Sequence, residues 1–201
     1  MAFTFNKEAL REDARRVARN SPEAKRMALE IAEEKFASAK IEMMNEFNSH
    51  AVTQELEGGP EGENVSSTLG GYGNLYSFIG FQEGYDPTAA IKGYLESKVE
   101  LKRGARLVKG KSEDTYLFEV AAPVIAEIED LTPSPWEGKS WTRGIERGIS
   151  GLGYYIYSKI KNFKNSRSGL GIQAEPKIRE LAYKPVKYLS TIINNFKQKF
   201  R

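Results

Sequence analysis

The chain has 201 residues, 40% of them apolar and 28% charged, with a net charge of +3. That suits a folded domain rather than a disordered chain. It holds no cysteine and one histidine, His50, which excludes disulfides, thiolate metal sites and thiol nucleophiles. No apolar run approaches the roughly 18 residues of a membrane span. The opening MAFTFNKEALREDARR contains acids and lacks an apolar core, so it is not expected to be a secretory signal. Charge is uneven: from Ser158 onward eleven Lys and Arg face two acids. A basic quarter of this kind suits nucleic acid, an anionic membrane or an acidic patch on a neighbouring subunit.

Taken in order, Asn6 to Ala18 reads as a short helix. Ser21 then caps a second one, with Pro22 at its first position and Glu23 favouring its positive end. Leu29, Ala32, Phe36, Ala39 and Met43 recur at spacings of three and four, with Phe47 behind, so this helix runs to about Asn48. Its seam packs on its own domain or on a copy of itself. His50 to Phe81 is rich in glycine and poor in basic residues. Gly58-Gly59-Pro60 is a turn cluster, residues 62 to 67 read as loop, and Leu75 to Phe81 is expected as a strand. Asp86-Pro87 opens a short helix over Thr88 to Glu96, with Ile91, Tyr94 and Leu95 inward.

Val99 to Val108 and Thr115 to Ala121 read as strands around a charged turn, with Gly104 as a bulge or turn. Pro123 to Leu131 has room for one or two helical turns. A helix from Ser140 to about Phe163 carries Trp141, Ile145, Ile149, Leu152 and Ile156 on one face. Asn165 to Gln173 is a polar linker. Helices follow at Lys177 to Ala182 and Pro185 to Phe200, the last with an apolar stripe of Val186, Leu189, Ile192, Ile193, Phe196 and Phe200. The fold class is α+β: a long N-terminal amphipathic helix, a small, mostly antiparallel sheet, and a helical C-terminal region with an extended arm. The expected division is an N-terminal arm over 1–20, a core over 21–164, and a linker with a basic amphipathic arm over 165–201.

Catalytic patterns are missing. There is no phosphate loop, and the dinucleotide pattern begun by Gly71 and Gly73 meets Tyr76 where its third glycine belongs. No nucleophile elbow occurs. His50 reads as a helix-end or interface residue, and paired acids such as Glu33-Glu34 and Glu113-Asp114 read as solvated faces. No catalytic, cofactor or metal residues are assigned, no cofactor is expected, and the chain reads as a non-enzyme. The residues expected at contacts are Leu69, Tyr72, Phe78, Trp136, Trp141, Leu189, Ile193 and Phe196.

The order of a long amphipathic helix, a loop, the small-residue motif Ser67-Thr68-Leu69-Gly70-Gly71 and then strands resembles the tail-completion or head-to-tail connector proteins of long-tailed bacteriophages. Their motif is Thr-Gly-x-Leu-like, whereas here the glycine follows the leucine. The segments HAVTQELEGG, GGYGNLYSFIGF, PWEGKSWTRGIERGISGLGYYI and SRSGLGIQ also resemble structural proteins of phage particles, over about half the chain. The resemblance implies a virion ring subunit at the neck or tail-completion position, with copies of itself and other neck or tail proteins as partners. It implies no membrane, and DNA contact only in passing. The alternative is a nucleic-acid-binding accessory protein that uses the basic C-terminal region.

Overall fold

A computed structural model of the chain describes residues 12, 21–69, 73–108, 115–135, 138–147 and 185–200. The expected helices over 6–18 and 177–182, the linker over 165–173 and the stretch from 148 to 163 lie outside them. The described elements are α1 (Pro22–Ser49), α2 (Ala51–Glu57), a 3-10 turn (Gly59–Glu61), α3 (Leu75–Ile79), α4 (Ala89–Lys98), β1 (Glu100–Val108), β2 (Thr115–Ala121), α5 (Ile125–Leu131), α6 (Trp141–Arg147) and α7 (Leu189–Gln198). This is an α+β chain with one two-stranded antiparallel sheet among the described residues.

Two compact units divide it: Met1–Lys40 with Glu100–Ala121, and Ile41–Val99 with Ala122–Arg201. They differ in burial. In the first, Ala39 is the only fully buried apolar side chain among the described residues. Ser21 caps α1 there as expected, its Oγ accepting from the Ala24 N–H at 3.1 Å. Past the cap, Met27 and Ile31 stand 59% and 65% exposed. They sit on the face opposite Leu29, Ala32 and Phe36, so α1 carries apolar residues on both sides. In the hairpin, β2 alternates exposed and half-buried residues up to Val120. The register breaks between Lys102 and Arg106, around Gly104, where the sequence predicts a bulge or turn.

The second unit holds a core drawn from each of its described α-helices. Met43, Phe47, Val52, Leu56, Leu75, Ile79, Ile91, Leu95, Ile128, Ile145, Ile192 and Phe196 are all buried. Ile91, Tyr94 and Leu95 point inward from α4, as their spacing predicts. Tyr94 joins α4 to α5: its hydroxyl donates to Glu127 at 2.9 Å and accepts the Val124 N–H at 3.1 Å. Burial, its largest influence, raises the Tyr94 pKa.

One expected element is overturned. Leu75 to Phe81 is no strand; Leu75–Ile79 is a helix. Asn74 caps its start, and Gly80, left-handed at φ 85°, ends it by donating its N–H to the Tyr76 carbonyl. Apolar residues at 75, 76 and 79 form one helical face, and all three are buried. Local caps at both ends outweigh the β preference of Tyr, Phe and Ile.

Candidate interaction site

The glycine-rich stretch from His50 to Phe81 is built around two polar side chains. His50 breaks the path from α1 into α2 and caps the new helix, its Nδ1 accepting the Val52 N–H at 3.2 Å. One turn on, Glu55 is 1% exposed. Its carboxylate accepts from the Ser66 N–H at 3.0 Å, from the Ser66 hydroxyl, and from the Leu75 N–H at 2.6 Å. A buried carboxylate is tolerable only with such donors. Asn74 is the second centre. Its Oδ1 accepts from the Ser77 N–H at 2.9 Å, while its Nδ2 donates to the carbonyls of Pro60 and Gly62, each at 2.8 Å, and of Gly59 at 3.2 Å.

Together these bonds fold the acidic turn back on α2. The glycines permit the approach: a Cβ on Gly58 would lie 2.9 Å from the Gly62 Cα. This glycine-rich segment is therefore held by its own chain. Two departures remain in it. Ser67 sits at φ 55°, a left-handed shape rare for a residue with a side chain. Both amide atoms of Asn64 are buried without a hydrogen-bond partner among the described residues.

The C-terminal helix closes over the same end. Tyr188 is fully buried; its hydroxyl shares a 2.6 Å hydrogen bond with Thr53, and its ring stacks 5.9 Å from Phe47 and lies tilted 4.7 Å from His50. Burial pushes its phenol well above its ordinary pKa. The Val186 N–H donates to the Ile145 carbonyl and the Ser190 N–H to Glu146. Farther along, Asn195 reaches Glu46, and Lys199 pairs with Glu42. That pair holds the Lys199 pKa above its usual value. The helix expected as an arm thus packs on its own unit.

The contact residues read from the sequence fall accordingly. Leu69, Trp141, Leu189, Ile193 and Phe196 are buried in the second unit, so they hold the core and offer no surface. Trp141 meets Phe81 edge to face at 5.9 Å, in a cluster with Tyr76 and Tyr85. Phe78 is half-buried. Tyr72 and Trp136 lie outside the described residues. The exposed apolar side chains are others: Met27, Ile31, Val108 and Leu117 in the first unit, and Ile41, Val65, Tyr85, Val124 and Leu131 in the second. Two of these had a signal in the sequence. Met27 and Ile31 lie four apart and off the main seam of α1.

No cluster of His and acidic residues among the described residues has the makings of a metal site. His50 spends its Nδ1 on the Val52 N–H. The neighbouring Ser49 hydroxyl donates to the Glu46 carbonyl instead. No described helix is long and apolar enough to cross a membrane. No protein-family model, curated protein or solved structure matches the chain.

Proposed function

We propose that this chain is a non-enzymatic structural protein of a bacteriophage particle, a ring subunit at the neck or tail-completion position between head and tail. The observation that supports an assembly role is the contrast between its two units. The second has a complete core. Among the described residues, the first joins the start of a long helix to a two-stranded hairpin, with Ala39 its only fully buried apolar residue. A two-stranded hairpin is marginal in water unless other strands or a helix cover it. Such a unit gains stability when another surface packs against it, as ring subunits do with their neighbours. The phage assignment rests on the sequence resemblance of the glycine-rich and C-terminal segments.

Mass spectrometry of purified phage particles tests it. The chain is expected in mature virions at several copies per particle. Its absence from particles that assemble normally would overturn the structural role.

A further inference from the structure

The hairpin's two edges are unequal, and the difference points to a partner. An unpaired strand edge is a template for another strand, so folded proteins usually blunt it with lysine, proline, bulges or glycine. The β1 edge is blunted in this way. Lys102 and Arg106 are exposed on it, and the register breaks between them around Gly104. The β2 edge has no lysine, proline or bulge, and its one charge, Glu119, is paired within the hairpin. Thr115 to Ala121 reads TYLFEVA, with one charge, no glycine and no proline. No third strand pairs with it among the described residues. Its outward face also shows Leu117, 50% exposed, beside Val108, 38% exposed.

We infer that the outer edge of β2 pairs with β2 of a second copy of this chain, antiparallel, about a twofold axis at Phe118. Two features of β2 select this occupant and register. Phe118 is the midpoint of the seven-residue strand, so an axis there uses its full length, placing Thr115 opposite Ala121 of the copy. It also places Glu119 opposite Leu117. The only charge of the strand, already paired with Lys102 at 2.7 Å, then never meets its own copy. A parallel, in-register pair would set the two Glu119 carboxylates side by side, which is unfavourable. The product is one continuous four-stranded sheet, which supplies the strands a lone hairpin lacks. The contact stands apart from the phage assignment: a twofold joins two subunits, or two rings face to face.

The absence of cysteine makes the test direct. In the full-length protein, Phe118→Cys places the new thiol opposite its own copy, within the Cα separations a disulfide spans. On mild oxidation it is expected to give a covalent dimer on non-reducing gels, while Arg106→Cys on β1 stays monomeric there. Leu117→Glu, at an exposed position, sets a like charge against Glu119 of the copy on both sides of the axis; it should keep the circular dichroism of the wild type but shift its sedimentation from dimer to monomer. A wild-type chain that sediments as a monomer and leaves Phe118→Cys uncross-linked overturns the inference. So does a dimer that survives Leu117→Glu. Either result leaves the detection of the chain in particles, and hence the phage reading, untouched.

Discussion

At the scale of single residues, three polar side chains in the second unit govern measurable stability. His50 is the pH-sensitive one. Burial holds its pKa below the usual 6.5, with the Lys187 carbonyl and Glu146 opposing in part. The unfolded chain therefore takes up the proton at a higher pH than the folded chain does. Stability is full above about pH 6.5 and falls as the pH drops from there toward the lower folded value. Protonation also removes the Nδ1 acceptor from the Val52 N–H and puts a positive charge at the start of α2, where the helix dipole disfavours it. Urea midpoints at pH 7.5 and 5.5 should differ more for the wild type than for His50→Asn, which keeps a capping side chain but has no titration. Equal pH slopes in the two proteins would sink the assignment.

Glu55 is a different case, one of geometry. Its two oxygens face donors on both sides, from Leu75 and from Ser66. In Glu55→Gln one of those positions becomes an NH2 facing a donor. The expected loss is about 2–4 kcal/mol, the cost of a charged hydrogen bond and of a buried group left unpaired. Asn64 runs the other way. Its buried amide has no partner among the described residues, so Asn64→Leu, of similar volume, is expected to raise stability by about 1 kcal/mol or more. Denaturant titration of both variants reads these opposite signs.

At the scale of elements, the helices with strong end signals and the short one within Pro123 to Leu131 were legible in the sequence, whereas Ala51–Glu57 and Leu75–Ile79 were not. Ser21-Pro22 marks the start of α1, and Asp86 marks that of α4, accepting from the Thr88 N–H at 2.8 Å. The strand Thr115 to Ala121 declares itself by its β-branched and aromatic content. Leu75–Ile79 misleads because its composition suits a strand while its spacing, 75-76-79, suits a helix. The deciding partners, Glu55 and the turn carbonyls held by Asn74, lie 12 to 20 residues away in sequence. A period read over a few residues does not contain them. The C-terminal helix shows a further limit: an amphipathic stripe reveals that a face is covered, and not what covers it. Here the cover is its own unit. Deleting residues 185–201 removes buried Tyr188, Leu189, Ile192, Ile193 and Phe196. At about 1.5–3 kcal/mol for each such side chain, the loss is on the order of the whole stability of a domain, roughly 5–15 kcal/mol. The truncated chain is therefore expected to unfold, seen as loss of near-ultraviolet circular dichroism. A folded truncated chain would return the helix to the role of an arm.

At the scale of the whole molecule, the burial contrast between the two units implies that they do not share one stability. The contact residues predicted from the sequence were chosen for size and hydrophobicity, and those properties chose core. Exposed apolar residues occur in both units, but only in the first do they accompany an almost empty core among the described residues. Native-state hydrogen exchange separates the two. Amides of α2, α4 and α7 lie among buried side chains and should open only with global unfolding, whereas those of β1 and β2 lie in a hairpin with no fully buried residue among those described. Local opening free energies run from near zero to the global value, and the hairpin belongs at the low end in dilute monomer. Pairing of β2 with its copy adds hydrogen bonds along that edge. Protection in β2 should therefore rise with protein concentration while protection in α4 stays constant, since only the first is linked to association. Exchange in β2 that is slow and independent of concentration would mean that the hairpin is already covered within one chain.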